Sequence, residues 1–137
     1  MRIVFDTNVL LDAFEEREDF EAAQNLIMLA ALEKIEGVVP ASSLTDIYYI
    51  SRKKIGDTAA REALWKILEL FDLAAVDAEI CVLALKTPMY DFEDAVIDVC
   101  AAYEQADYIV TRDKGFLHAT TSVPTITPKE LLEILSK

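Results

Sequence analysis

Two hydrophobic rhythms alternate along the chain. Short unbroken apolar runs stand at residues 3–5, 37–41, 73–76, 108–111 and 123–126, and between them apolar residues recur every third or fourth position. The runs predict buried strands and the spaced segments predict amphipathic helices. Helices are expected over residues 8–17, 19–35, 42–55, 57–70, 78–86, 91–106 and 128–135. Gly56 reads as the stop between the third and fourth, and Asp57, Asp77, Asp91 and Thr127 as caps. Strands alternating with helices in this way predict an α/β fold, with a mostly parallel sheet covered on both faces and connected by right-handed crossovers.

The helical periods also predict which faces are buried. In the second helix Phe20, Ala23, Ile27, Ala30 and Ala31 form a stripe that Leu26, Leu29 and Leu32 widen, so this helix is expected either deep in the core or against another subunit. In the third, Leu44, Ile47, Tyr48, Ser51 and Ile55 face the core, with Asp46 nearly opposite between Tyr49 and Ile50. Tyr48 and Tyr49 read as packing residues, with base stacking the other reading. In the sixth, Phe92, Ala95, Val96, Val99, Tyr103 and Ala106 form the expected buried stripe, which leaves Asp94, Asp98 and Gln105 on another face.

Composition narrows the picture. With 137 residues, 53% of them hydrophobic, and only three Gly and four Pro, residues 1–137 suit one domain without a linker. Arg2, Asp6 and Asp12 near the start, and a longest purely apolar run of residues 26–32, predict neither a membrane span nor secretion, so a cytoplasmic location is expected. Cys81 and Cys100 fall inside helical patterns and His118 is the only histidine, which argues against a zinc cluster. A net charge of −12 excludes a broad basic face that wraps nucleic acid. It does not exclude a local site where bound cations neutralise converging acids.

Such convergence is what the pattern predicts. Asp6 and Asp113 each follow an apolar strand, and Asp46, Asp94 and Asp98 lie early in helices. In a parallel sheet, strand ends and the starts of the following helices share one edge, where ligands bind. Asp6 also suits a simple helix cap. Oxygen donors without His or Cys favour Mg²⁺ or Mn²⁺ over zinc, and a carboxylate-held ion of this kind supports hydrolysis at phosphorus. Thr7, Asn8 and Thr111 are placed to orient ligands or water, or to serve as turn and cap residues.

The segments Val4-Phe5-Asp6-Thr7-Asn8, Ala41-Ser42-Ser43-Leu44-Thr45-Asp46-Ile47-Tyr48-Tyr49, Asp91-Phe92-Glu93-Asp94-Ala95 and Tyr108-Ile109-Val110-Thr111-Arg112-Asp113 resemble the PIN domain family, in order and over essentially the whole chain. The likeness is strongest to small VapC-type toxins. It implies a three-layer α/β/α sandwich with strand order 3-2-1-4-5, and a Mg²⁺- or Mn²⁺-dependent endoribonuclease that is usually dimeric and often paired with an antitoxin. It maps the family acids onto Asp6, Asp46, Asp94 and Asp113, with Asp98 as an extra metal ligand and Thr111 or Asn8 as the polar helper. Two positions depart from the family pattern: Asp46 stands where Glu is common, and Asp113 follows Arg112 directly where many relatives have Asn.

Two other readings compete. One is a catalytically silent scaffold of the same fold that binds RNA or protein. The other is an aspartyl-phosphate enzyme, which the absence of a second acid at position 8 disfavours. For RNA to approach so acidic a chain, Arg52, Lys53, Lys54, Arg112 and Lys114 are expected to rim the cleft.

Overall fold

The structure, a computed structural model, describes residues 1–137. Its centre is β1 (Arg2–Phe5), which pairs in parallel with β2 (Glu36–Pro40) and β4 (Tyr108–Val110). The register sets Ile3 opposite Gly37 on one side and Tyr108 on the other. β3 (Asp72–Ala74) lies outside β2 and β5 (Thr125–Ile126) outside β4, all parallel, giving the order β3-β2-β1-β4-β5. This is the expected order, and it sets the ends of β1 and β4 side by side.

Successive strand residues point to opposite faces, and the core divides accordingly. Ile3, Phe5, Val39 and Val110 pack under α1 (Thr7–Glu15), α2 (Phe20–Ala31), α3 (Ser43–Leu70) and α7 (Pro128–Leu135), against side chains such as Leu10, Leu26, Ile47, Ile67 and Leu131. Val4, Val38 and Ile109 pack under α4 (Ala78–Lys86), α5 (Phe92–Tyr103) and α6 (Lys114–His118), against Ile80, Ile97, Ala101 and Phe116. Each fully buried side chain of this size contributes about 1.5–3 kcal/mol. Gly37 is required by this packing, because a Cβ there would lie 2.4 Å from Cδ1 of Phe71. Phe71 in turn meets Phe5 edge to face, with ring centroids 4.9 Å apart.

The expected break between the third and fourth helices is present at Gly56, which takes φ 84° and ψ 167°; the two helical segments abut there without a loop and are labelled together as α3. That region of backbone space is essentially reserved for glycine. α2 ends at Ala31, and only one stripe of it is covered: Leu26 is fully buried, whereas Met28 and Leu32 are exposed. In α5 the expected stripe is buried at Ala95 and Val96, but the covered face is broader and shifted: it takes in Asp94, Ile97, Asp98 and Ala101 and leaves Phe92 and Tyr103, expected inside, at the surface. α6, only five residues long, is too short for its period to be read.

At the amino edge of the sheet, Arg2 ties the layers together. Its guanidinium stands 2.9 Å from Glu36, 3.1 Å from Asp72 and 2.6 Å from Glu104, and its Nε donates to the Glu104 carbonyl at 3.0 Å. The Arg2 amide donates to Asp107 at 2.8 Å. No helix is long and apolar enough to cross a membrane.

Candidate active site

At the opposite edge β1 ends in Asp6, whose amide still donates to the Val110 carbonyl of β4 at 3.0 Å. The chain then turns into α1, and the Asp6 side chain caps that helix by accepting from the Thr7 amide at 2.7 Å. The cap role and the site role therefore belong to one carboxylate. Its second oxygen accepts from the Thr111 hydroxyl at 2.7 Å and from Asn8 Nδ2 at 3.0 Å. Asn8 is fixed in turn by the Arg112 amide, which donates to Asn8 Oδ1 at 3.2 Å. The polar residues after β1 and at the end of β4 thus hold Asp6 in one orientation.

Asp113 follows β4, and the Thr111 hydroxyl oxygen accepts from its amide at 3.1 Å. Its own carboxylate caps α6, accepting from Gly115 at 2.9 Å, and the residue remains exposed. Asp94 enters from α5, whose first turn is capped by Asp91 through the Asp94 amide at 3.0 Å. A cleft of about 230 Å³ is lined by Asp91, Asp94 and Asp113 together with Met89, Tyr90, Gly115 and Ala119. Asp46 projects from the first turn of α3 and is exposed.

These acids feel one another's charge. Burial, followed by the charges of Asp91, Asp6, Asp113 and Glu93, pushes the Asp94 carboxyl up to about 7. Burial also raises Asp6, with Asp113 adding to the effect, against the hydrogen bonds of Thr111, Thr7 and Asn8. Glu93 is raised by partial burial and then by Asp46, Asp6, Asp91 and Asp113, which places Asp46 within the field of the same cluster. No lysine or arginine forms an ion pair with any of Asp6, Asp46, Asp94 or Asp113.

Asp98 does not join the cluster. Its carboxylate is buried and accepts from the Ser122 amide at 2.9 and 3.1 Å and from the Val123 amide at 3.0 Å, which anchors the loop before β5. Arg112 also departs from its expected place at the rim. It pairs with Asp12, which is only 1% exposed, through Nε and, at 2.8 Å, through Nη2. Lys54 sits 3.3 Å from Glu15, while Arg52, Lys53 and Lys114 remain exposed and outside any ion pair. Tyr48 and Tyr49 are not core residues: Tyr49 is exposed, and the Tyr48 hydroxyl donates to Asp57. The sequence reading gave Glu93 and Asp91 no place in the site, since acids in a first helical turn are common.

The donor set consists of hard oxygens, which fits a divalent ion. Thr7 Oγ1, next to Asp6, is buried and has no hydrogen-bond partner. The cluster is open, since no three His, Cys, Asp or Glu side chains are drawn close enough to clasp an ion as they stand.

The PIN domain family model matches residues 2–115. No curated protein matches the chain. Among solved structures, VapBC2 from Rickettsia felis, bound to a DNA fragment from its promoter, superposes with a TM-score of 0.69 at 18% identity, over 93% of this chain and 98% of that one. VapC20 from Mycobacterium tuberculosis, described as a Sarcin-Ricin loop cleaving toxin, gives 0.70 at 16% identity, over 87% and 95%. A toxin-antitoxin complex from Klebsiella pneumoniae gives 0.66 at 22% identity, over 92% and 97%. At these identities the likeness is one of fold.

Proposed function

The chain belongs to the PIN domain family, and from that premise we propose that it is an endoribonuclease dependent on Mg²⁺ or Mn²⁺, acting as the toxin of a toxin-antitoxin pair. The observation that carries this reading is the uncompensated meeting of Asp6, Asp94, Asp113 and, through Glu93, Asp46 at the carboxyl edge of the sheet. Acids kept this close without a cation raise one another's pKa and oppose folding. A chain that retains them is built to receive positive charge there.

Asp6, Asp94, Asp113 and Asp46 are the residues that would hold the ion. When bound, it supplies Lewis-acid activation of water and of the phosphoryl oxygens. Thr111, Thr7 and Asn8 fix the Asp6 carboxylate, so that little reorganisation is needed. Burial and the neighbouring acids push the Asp94 carboxyl up to about 7, so a bound ion would have to displace a proton from it. The reading assigns residues 1–137 to one domain acting on RNA in the cytoplasm, as a homodimer that an antitoxin inhibits. The RNA target and the antitoxin are supported by a Sarcin-Ricin loop cleaving toxin and a toxin-antitoxin complex that share this fold.

The test is cleavage of a structured and a single-stranded RNA by wild type and by Asp6→Asn, with EDTA, Mg²⁺ and Mn²⁺ in parallel. Cutting by wild type alone, abolished by EDTA and restored by either ion, is the expected result. Equal cutting by both proteins would identify a contaminant. RNA binding without cutting in any metal would instead establish a silent scaffold.

A further inference from the structure

Asp46 does not stand alone on its face of α3. Residues three, four and seven positions further along a helix lie above one another, so Asp46, Tyr49, Ile50 and Lys53 form one strip. A strand lying across Asp46 passes over Tyr49. That tyrosine is 57% exposed, and no hydrogen bond ties down its hydroxyl.

The ring is nevertheless held. Tyr49 meets Tyr48 edge to face, with centroids 5.0 Å apart and planes at 73°. Arg52 lies over both, its guanidinium carbon 5.6 Å from the Tyr49 centroid and 5.7 Å from that of Tyr48. Beneath them the Tyr48 hydroxyl donates to Asp57, which Arg61 grips at 3.0 Å, and Arg61 itself lies 5.4 Å from the Tyr48 ring. An exposed aromatic surface braced in this way loses little freedom when a flat ligand covers it.

Charge points to the kind of ligand. Against 25 acidic residues the chain has 13 lysines and arginines. Arg2, Arg17, Lys54, Arg61, Arg112 and Lys129 are each paired with a carboxylate. Of the seven that are not, Arg52 and Lys53 follow Asp46 on the same helix, and Arg52 alone lies over the tyrosine rings. In so acidic a protein, cations outside any ion pair beside the exposed Tyr49 suit a polyanion that carries flat rings.

We propose that Tyr49 and Arg52 form a binding site for an unpaired nucleotide of the RNA substrate, the base stacking on the Tyr49 ring and its phosphate meeting the Arg52 guanidinium. The proposal rests on the nuclease reading above and adds to it a contact outside the carboxylate cluster. Its consequence is a preference for RNA with an unpaired base at a fixed distance from the scissile bond, because only an unpaired base offers a free face.

The test is anisotropy of a fluorescein-labelled single-stranded 12-mer RNA, and of the same oligonucleotide with abasic sites, binding to the full chain in EDTA at low salt. Wild type, Tyr49→Ala, Tyr49→Phe and Arg52→Gln are compared, with circular dichroism melts to verify folding. Losing one stacked base weakens binding by about tenfold. Tyr49→Ala is therefore expected to lose about that factor on the intact RNA and nothing on the abasic one, while Tyr49→Phe binds as wild type. Arg52→Gln is expected to weaken both and to lower the salt slope by about one. Equal binding of intact RNA by wild type and Tyr49→Ala, or no binding by wild type, would overturn the proposal. So would a change from dimer to monomer in Tyr49→Ala by light scattering, which would make this face a subunit contact. Failure of the nuclease reading looks different: Tyr49-dependent binding would persist without cutting in Mg²⁺ or Mn²⁺.

Discussion

At the amino edge of the sheet, Arg2 on β1 gathers Glu36, Asp72 and Glu104 around a single guanidinium. At the carboxyl edge, some four residues along the same strand, Asp6 meets Asp94 and Asp113 with no cation among them. The nearest arginine in sequence to Asp113, Arg112, turns instead to Asp12. One edge answers its acids from within the chain, and the other leaves them repelling. Acids at the first edge are matched by the fold, whereas under the nuclease reading those at the second await their counter-charge from outside.

The comparison is broken most sharply by removing one acid from the unmatched edge. Asp94→Asn is expected to lower cleavage on the order of 10³-fold, the loss of several kcal/mol of transition-state stabilisation. The same variant should raise the urea midpoint of the metal-free protein, by about 1 kcal/mol of stability, because repulsion is relieved. Opposite signs in the two assays identify a residue kept for chemistry at the expense of the fold. A fall in both would make Asp94 a structural residue.

Arg2→Ala is the mirror experiment. Its partners Glu36 and Asp72 are two-thirds exposed and contribute little each, but Glu104 is mostly covered. A loss of about 1–2 kcal/mol in urea denaturation is expected, with cleavage per folded molecule unchanged. An effect on cleavage at constant stability would show that the two edges are coupled.

The smallest effect, read per pH unit, is the pH dependence of the unmatched edge. In the folded metal-free chain Asp94 keeps its proton up to about pH 7, whereas the unfolded chain releases it near pH 4. The native state therefore binds more protons across that window. Stability should fall as pH rises from about 4 to about 7 and level off above it, with a slope below about 1.4 kcal/mol per pH unit. Thermal melts in EDTA across this range measure the slope, and saturating Mn²⁺ should flatten it. An equal slope with and without Mn²⁺ would detach the titration from the metal site.

Much of this arrangement is legible in sequence, where local chemistry decides position. The apolar runs that end in Asp6 and Asp113 predict strand ends, and their parallel pairing brings the two acids to one edge. Period alone fixes that α5 is a helix but not how it is rolled. The large Phe92 and Tyr103 mark the two ends of an apparent core face, yet the sheet takes in Ile97 and Ala101 beside the expected Ala95 and Val96 and leaves both aromatics out. Asp98 has the spacing of a second ligand four residues after Asp94, but its partners are backbone amides 24 and 25 residues on, which no side-chain pattern announces. Arg112 fails as a rim residue for a simpler reason. Successive residues at a strand end point to opposite sides, so when the Thr111 hydroxyl turns to Asp6 the Arg112 side chain is carried to Asp12.

The bend in α3 has a consequence of another kind. A side chain at Gly56 would meet nothing within 4 Å, so no neighbour forbids it. What excludes every other encoded residue is chirality: the mirror-image form of alanine would be accommodated there, and the natural form is not. The bend that joins the Asp46-bearing half of the helix to its outer half is guarded by the handedness of the genetic repertoire, and a side chain there would be strained however much room surrounds it.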